Sequence, residues 1–245
     1  MTVNPPNRPP RNAIIFGASG AIGKAVCDQL TKDGCAVWAG SRSGDYTPND
    51  IARPFAFDLT DEASIERVAD EMKGRPIDLI VAATGVLTLD NGQGPERTYK
   101  RMSADFMAET FALNTIGPAM IAKHMLPLLP RDERSVFAAL TARVGSIGDN
   151  GLGGWHSYRA SKAALNMLLK NFAIELRRTH KQAIVAGLHP GTVDSKLSEP
   201  FQNNLPEGQL TKPMDAAASL LAVLNGLTPE NSGTVFDFAG KPIEP

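Results

Sequence analysis

Short apolar runs alternate strictly with longer segments of helical periodicity from Asn12 onward, and this alternation constrains the fold more than any other feature. In the helical segments, apolar residues recur three and four positions apart. Strict alternation predicts an α/β fold, with a single doubly wound parallel sheet and helices on both faces. Pro118 is expected to kink the third helix. The predicted strands are 13–16, 36–39, 54–57, 77–83, 135–141, 183–188 and 234–238, and the predicted helices are 22–30, 61–72, 103–129, 157–179 and 214–225.

The composition excludes several functional classes. A formal net charge of −1 leaves no electrostatic footprint for nucleic acid or an anionic membrane. The apolar runs are far shorter than the ~20 residues of a membrane helix. Two cysteines and four scattered histidines predict neither a disulfide framework nor a metal site. We therefore expect no metal, no nucleic-acid partner and no membrane span.

The organisation of the chain is predicted to be simple. Residues 1–11 hold four of the 18 prolines and no apolar run, which indicates a disordered tail. They lack the pattern of a signal or transit peptide, so a cytoplasmic location is expected. Residues 12–245 show no repeat and no linker, and we expect these 234 residues to form one domain.

A glycine-rich turn follows the first predicted strand and reads Gly17-Ala18-Ser19-Gly20-Ala21-Ile22-Gly23. Ligands of such sheets bind at the carboxyl ends of the strands. Glycines let the backbone approach a pyrophosphate, and the next helix presents its N-terminal amides to that anion. The turn predicts a Rossmann-like dinucleotide site, the alternative being a tight turn that binds nothing.

The second strand ends in Ser41-Arg42 and has no acidic residue there. An acid at this place accepts a hydrogen bond from the ribose 2′-hydroxyl of NAD. A hydroxyl and a planar cation suit a 2′-phosphate instead. This favours NADP over NAD, the alternative being an exposed arginine on a loop.

Tyr158 and Lys162 carry the sharper chemical signal. Residues four apart share one face of a helix, which brings the ammonium near the phenol. A phenol with a pKa of ~10 is a poor acid–base group at neutral pH. A neighbouring cation is expected to lower that pKa towards the working range.

These motifs together resemble the short-chain dehydrogenases/reductases over residues 12–240. The segment from Thr141 to Lys162 resembles the C-factor-like branch, which includes sniffer-type carbonyl reductases. The resemblance rests on the glycine turn, Asp58-Leu59, Asn114, Tyr158 with Lys162, and Pro190-Gly191-Thr192-Val193.

The resemblance implies an NADP(H)-dependent oxidoreductase that interconverts a small carbonyl compound and an alcohol. Tyr158 is then the proton donor or acceptor, while Lys162 holds the nicotinamide ribose and lowers the pKa of the phenol. Asn114 would kink its helix and order a water. The remaining implied cofactor contacts are Asp58 and Leu59 at the adenine, Ala83 and Gly85 after the fourth strand, and Pro190, Gly191, Thr192 and Val193 at the carboxamide.

The chain departs from the family pattern in three places. The second glycine of the turn is Gly20, one place early, and the usual Asn-Asn-Ala-Gly is 82–85, Ala-Ala-Thr-Gly. The usual catalytic serine aligns with Ala142. Ser146, twelve residues before Tyr158, is the preferred replacement and Thr141 the other candidate, because a carbonyl oxygen needs a second donor.

Two interpretations of function remain open. Tyr158, Lys162 and Asn114 favour the enzyme, whereas Ala142 favours a dinucleotide-binding regulatory or signalling protein without turnover. The sequence does not identify the substrate, since the expected lid over the site, 194–212, is short and polar. Apolar residues cover more of the fifth helix than one sheet contact needs, which predicts a homodimer or homotetramer; they are Leu165, Leu168, Leu169 and Phe172.

Overall fold

Seven parallel strands form the central sheet of the computed structural model, which describes residues 9–206 and 208–245. The strand order is β3-β2-β1-β4-β5-β6-β9, so the chain winds outward from β1 in both directions. This confirms the predicted α/β, doubly wound, Rossmann-like fold. Most of the predicted proline-rich tail, residues 1–8, lies outside the described residues. The strands are β1 Asn12–Phe16, β2 Ala36–Ser41, β3 Arg53–Ala56, β4 Leu79–Ala82, β5 Ser135–Leu140, β6 Ala183–His189 and β9 Thr234–Asp237, and a second, two-stranded sheet pairs β7 Thr192–Val193 with β8 Leu210–Thr211.

Helices cover both faces of the sheet and bury two separate cores. Successive residues of β1 show the division, since Ile15 packs in one core and Ile14 in the other. Burial on both faces explains why the central strands are continuously apolar rather than alternating. Residues of α1 and α6 line the first core, and residues of α2, α4 and α5 line the second. The helices are α1 Ala21–Lys32, α2 Glu62–Met72, α3 Ala104–Phe111, α4 Gly117–Met125, α5 His156–Leu176 and α6 Pro213–Gly226.

The predicted long helix over 103–129 is interrupted in the turn just before Pro118. A π-helical turn, Ala112–Ile116, separates α3 from α4. Pro118 falls in the first turn of α4, where a missing N–H is tolerated. The irregularity is instead centred on Asn114, because a π-turn accommodates an extra residue and is frequent at functional positions.

Two of the residues that predicted an oligomer are packed inside the protomer. Leu165 and Leu169 are buried against the sheet, whereas Leu168 and Phe172 keep part of their surface. On the outer side of α5, Met167 is 62% exposed. Two of these four apolar residues of α5 are therefore used in the contact with the sheet, so fewer of them remain for an interface between protomers than the sequence suggested.

None of the described helices has the length and apolarity needed to cross a membrane. Within the described ranges, no three histidine, cysteine, aspartate or glutamate side chains form a group that could hold a metal ion.

Candidate active site

The glycine-rich turn lies between β1 and α1 and approaches neighbouring backbone closely. Gly17 has a φ of +92°, and a Cβ there would lie 2.8 Å from the carbonyl oxygen of Ala83. A Cβ on Gly23 would lie 2.1 Å from the carbonyl oxygen of Gly17. Side chains at these two positions would force the turn open, so the glycines are required by the packing of α1 against β1.

The N-terminus of α1 presents unpaired amides beside this turn. Gly20 occupies the capping position without a capping side chain, and Ser19 is exposed. The amides of Ala21, Ile22 and Gly23 have no acceptor among the described residues. Free N–H groups and the helix dipole together favour an anion. The turn therefore fits the pyrophosphate of a dinucleotide.

Ser41 and Arg42 lie at the end of β2, next to this turn. The buried Ser41 hydroxyl accepts a hydrogen bond from the Gly44 amide at 3.2 Å, which shapes the loop that follows. The Arg42 side chain is 80% exposed, and its only ion pair among the described residues is a 3.8 Å contact with the equally exposed Asp90. Exposed pairs of this kind are weak, so the guanidinium is available to a ligand.

Asp58 and Leu59 follow β3. The carboxylate of Asp58 accepts hydrogen bonds from the amide and hydroxyl of Thr60, both at 2.7 Å, and the hydroxyl bond is the main cause that lowers the Asp58 pKa below its ordinary value. Leu59 packs against Gly117 at the start of α4, where a Cβ would lie 2.7 Å from Leu59 Cδ2. This contact fixes the segment that faces the predicted adenine position.

Gly85, after β4, lies where two predicted site residues converge. A Cβ at this glycine would lie 3.1 Å from Asn114 Oδ1 and 3.2 Å from Lys162 Nζ. Ala83, two residues earlier, is partly buried beside the glycine turn. Thr84 stands at the position of the usual alanine, and its buried hydroxyl has no hydrogen-bond partner among the described residues.

Asn114 links the π-turn to both the β4 loop and α5. Its Oδ1 accepts from the Val86 amide at 2.7 Å, and its Nδ2 donates to the Val86 carbonyl at 2.9 Å and to Ser161 Oγ at 3.2 Å. The neighbouring Thr115 hydroxyl donates to the Ser161 carbonyl at 2.8 Å. The side chain is completely buried, so these bonds lock the π-turn against the helix that carries Tyr158.

Tyr158 and Lys162 lie in the first half of α5, both buried. Lys162 Nζ is 5.9 Å from the centroid of the Tyr158 ring and donates a hydrogen bond to the Leu140 carbonyl at the end of β5. The Tyr158 hydroxyl makes no hydrogen bond to a described residue, so its proton and lone pairs are free to bond a ligand oxygen.

Burial controls the ionisation of this pair. It raises the pKa of Tyr158 to about 12 and lowers the pKa of Lys162 to about 8. The expectation that the cation lowers the phenol pKa is therefore wrong for the protein alone, because the desolvation of a buried phenolate outweighs an ammonium at this distance. At neutral pH the phenol keeps its proton and the lysine its charge.

The hydroxyls predicted to assist Tyr158 have other partners. Ser146 Oγ accepts from the Asp149 amide at 3.0 Å and donates to the Pro245 carbonyl at 3.5 Å. Thr141 Oγ1 donates to Asn166 Oδ1 at 2.6 Å. Ala142 instead belongs, with Leu87, to the buried apolar cluster that contains Tyr158. The structure does not bring the Ser146 hydroxyl to Tyr158, because a short helical turn over 143–145 directs it to the following loop.

The segment after β6 completes the edge of the sheet at which the strands have their carboxyl ends. Gly191 has a φ of +74° and lies against Phe238, while Thr192 and Val193 form β7. Pro190 joins this segment to β6. The expected lid, 194–212, contains a helical turn over Glu199–Asn204 and returns as β8. Its Phe201 ring lies 5.0 Å from the ring of Trp155, beside Tyr158.

One buried residue at this edge of the sheet was not predicted from the sequence to belong to the site. Glu96, in the loop between β4 and α3, hydrogen-bonds the first turn of α5. It stands 61 positions before Ser157 in an irregular segment, so no periodicity or spacing links the two. The Gly153-Gly154 pair before α5 was the available hint that the backbone there is unusual.

Comparison with known proteins gives consistent matches over most of the chain. Residues 11–206 match the model of the family described as short chain dehydrogenase. The 1-hydroxy-2-glutathionyl-2-methyl-3-butene dehydrogenase of Rhodococcus sp. (strain AD45) is 32% identical over 224 residues, 90% of this chain and 93% of that protein. The C-signal protein of Myxococcus xanthus is 34% identical over 170 residues, 69% of this chain and 92% of that protein. NADPH-bound carbonyl reductase from chicken fatty liver shares the fold, with a TM-score of 0.82 and 23% identity over 96% of this chain and 98% of that chain.

Proposed function

The chain belongs to the short-chain dehydrogenase family, and from that premise we propose that it is an NADP(H)-dependent oxidoreductase interconverting a small carbonyl compound and an alcohol. One observation carries the proposal: a buried Tyr158, whose hydroxyl is free to bond a ligand, lies beside the buried ammonium of Lys162. A phenol held in its protonated form beside a cation suits proton transfer to a carbonyl oxygen.

Tyr158 has the central chemical role in this proposal. In reduction its hydroxyl donates a proton to the substrate oxygen, and in oxidation the phenolate accepts that proton. The nicotinamide of a bound dinucleotide supplies or accepts the hydride. Lys162 stabilises the phenolate electrostatically and hydrogen-bonds the ribose, while Asn114 orients a water that returns a proton through the lysine.

NADP is the proposed cofactor because of the residues at the first two strand ends. The amides of Ala21, Ile22 and Gly23 hold the pyrophosphate, and Ser41 and Arg42 hold the 2′-phosphate. The other proposed contacts lie along the same edge of the sheet, from Asp58 and Leu59 through Ala83 and Gly85 to the segment 190–193.

The names of two similar proteins support the chemistry. The Rhodococcus relative is a dehydrogenase of a hydroxy compound, and the chicken structure is an NADPH-bound carbonyl reductase. A wall of apolar side chains surrounds the Tyr158 ring, formed by Leu87, Ala142, Val144, Trp155 and Phe201. This wall favours a carbonyl substrate with an apolar substituent.

We also propose a homodimer or homotetramer built on the outer face of α5. Met167 and Ile174 are 62% and 52% exposed there, an unusual exposure for large apolar side chains on one helix. Light scattering of wild type and of Met167→Glu tests this, since a charge at the interface should lower the assembled mass. An unchanged mass would contradict the use of this face.

A second candidate function is a dinucleotide-binding regulatory protein without turnover. It is favoured by Ala142, which lies at the usual serine position, and by Thr141 and Ser146, whose hydroxyls bond other described residues than Tyr158. The C-signal relative at 34% identity also has a name that indicates signalling rather than metabolism.

One experiment separates the two functions. NADPH binding is measured by titration, and NADPH oxidation is measured against a panel of aldehydes, ketones and quinones. The enzyme proposal expects both binding and substrate-dependent oxidation, with oxidation lost in Tyr158→Phe. Tight binding with no oxidation of any panel member above the Tyr158→Phe rate would favour the regulatory protein.

A further inference from the structure

We infer that Glu96 is a positioning residue for Tyr158: it clamps the first turn of α5 from the loop between β4 and α3. The inference extends the proposed function, because it concerns how the proposed proton donor is held. Glu96 is 5% exposed, although glutamates are rarely buried without a partner. Its partners all belong to the three residues that precede Tyr158.

The clamp has three hydrogen bonds. The Glu96 carboxylate accepts from the backbone amide of Ser157 at 3.1 Å and from the Ser157 hydroxyl at a short distance. The Glu96 carbonyl accepts from the backbone amide of Trp155 at 2.5 Å. Ser157 is completely buried, so no water competes for its two donors.

These bonds replace a cap that α5 does not provide for itself. The residue at the capping position is Trp155, whose side chain makes no capping hydrogen bond. The Ser157 amide is among the first-turn donors that a helix leaves unsatisfied. A carboxylate at this end also interacts favourably with the dipole of a 21-residue helix. Glu96 therefore caps the helix from a distant part of the chain.

The backbone at the capping position needs such support. Trp155 has a φ of +51° and is the one non-glycine residue with a positive φ among the described residues. Gly153 and Gly154, with φ of +64° and +66°, lead into it. A large side chain in this left-handed conformation persists only when its surroundings hold it there, and the Glu96 carbonyl holds the Trp155 amide.

The conformation of Trp155 bears directly on Tyr158. The two rings meet edge to face with centroids 6.1 Å apart, and Trp155 also contacts Phe201 of the expected lid, with ring centroids 5.0 Å apart. Release of the clamp would free the first turn of α5 and its indole together. The Tyr158 hydroxyl and the apolar wall beside it would then lose their fixed geometry.

The carboxylate is ionised at neutral pH. Burial alone would raise the pKa of Glu96, but the hydrogen bonds from Ser157 bring it below its ordinary value. A neutral glutamine keeps one carbonyl oxygen for the Ser157 amide, but its NH₂ group bonds the Ser157 hydroxyl only if that hydroxyl turns round to accept, and the charge-assisted bond of the carboxylate is lost. Glu96→Gln is therefore a nearly isosteric test of the clamp.

The experiment compares Glu96→Gln, Glu96→Ala and Ser157→Ala in a Trp38→Phe background, in which Trp155 is the single tryptophan. The exposed Glu71, whose side chain has no hydrogen bond to a described residue, provides Glu71→Ala as the matched control. Steady-state emission and anisotropy of Trp155 are recorded without cofactor. The kcat and the KM for the carbonyl compound of the panel that wild type reduces fastest are measured with saturating NADPH. Both measurements are made well below the unfolding temperature of every variant.

We expect red-shifted Trp155 emission with lower anisotropy in the Glu96 variants, and a kcat at least about tenfold lower with unchanged NADPH affinity. Glu96→Gln combined with Ser157→Ala should be no worse than Glu96→Gln alone, because both remove the same contact. Variants that lose thermal stability but keep wild-type emission and kcat would overturn the inference. If wild type shows no turnover, the proposed function fails, and wild-type emission in the variants would overturn the clamp separately.

Discussion

Lys162 Nζ lies 5.9 Å from the centroid of the Tyr158 ring and donates a 2.9 Å hydrogen bond to the carbonyl of Leu140. This bond ties α5 to the carboxyl end of β5 and fixes the cation at the ring. Burial opposes the charged form of both groups, with a pKa of about 12 for Tyr158 and about 8 for Lys162. The protein alone therefore holds a neutral proton donor beside a cation, which is the arrangement that carbonyl reduction requires.

Replacement of Tyr158 by phenylalanine is expected to abolish turnover without loss of cofactor binding. The hydroxyl serves the transition state, and loss of a general acid lowers kcat by ~10²–10⁴. The ring, which lies in one apolar cluster with Ala142, is retained, so the site should keep its shape. Stopped-flow NADPH oxidation and a binding titration measure the two effects. A variant with more than about a tenth of the wild-type rate would contradict the role of Tyr158.

The buried charge of Lys162 should appear in the pH dependence of stability. Its pKa falls from 10.5 to about 8 on folding, so between these pH values the unfolded chain binds more protons than the folded protein. The free energy of unfolding of wild type should therefore rise with pH in this window relative to Lys162→Met, by on the order of 3 kcal/mol in total.

Urea unfolding at pH 7.5, 8.5 and 9.5 measures this difference, and the tyrosines and cysteines of the unfolded chain, which also titrate there, contribute equally to wild type and variant. Lys170→Met, an exposed lysine on the same helix, is the control, and its curve should run parallel to wild type. Parallel curves for Lys162→Met as well would mean that the ammonium is not desolvated.

Ala142 offers a gain-of-function test of the missing hydroxyl. It lies in the apolar cluster that contains Tyr158, whereas Ser146 and Thr141 direct their hydroxyls elsewhere. Ala142→Ser should therefore raise kcat, by up to roughly the 10²–10³-fold that one oxyanion donor contributes, while Ser146→Ala and Thr141→Ala should have small effects. Initial rates with one reactive aldehyde compare the three variants. A strong loss in Ser146→Ala would restore Ser146 as the second donor and show that its loop rearranges when substrate binds.

The sequence predicted features that depend on local periodicity. The strand predicted over 77–83 contains β4, Leu79–Ala82, whose four apolar residues are all buried, as expected of a strand covered on both faces. The spacing of Tyr158 and Lys162 predicted their shared helix face, which the structure confirms. The C-signal relative confirms the predicted branch of the family.

Features that depend on distant parts of the chain were missed or misplaced. Ser146 was chosen by its distance in sequence from Tyr158, but its loop is anchored by Asp149 and Pro245. Glu96 caps a helix 61 residues away, and nothing in a local pattern can report such a contact. The long helix expected over 103–129 is broken by a π-turn over 112–116, which the helical periodicity did not predict.

Arg42 is expected to set the preference for NADPH over NADH. Its guanidinium is 80% exposed and lies 3.8 Å from Asp90, so no strong ion pair competes with a 2′-phosphate. Charged hydrogen bonds contribute about 1.5–3 kcal/mol, which corresponds to a roughly 10–100-fold preference. Arg42→Ala should remove most of it by weakening NADPH while leaving NADH nearly unchanged. Arg67→Ala is the matched control. The Arg67 guanidinium on α2 is also exposed, and it pairs with Asp61 at 3.7 Å.

Ser41→Asp should move the preference further than Arg42→Ala. A carboxylate at the end of β2 repels the 2′-phosphate and accepts a hydrogen bond from the 2′-hydroxyl of NADH. The Ser41 hydroxyl now accepts from the Gly44 amide at 3.2 Å, and an aspartate oxygen can accept the same bond, so the loop should keep its shape. Fluorescence titration with both cofactors gives the ratio of dissociation constants for each variant. Equal affinity of wild type for NADH and NADPH would contradict the proposed 2′-phosphate site, because Arg42 would then be an exposed loop residue without a ligand.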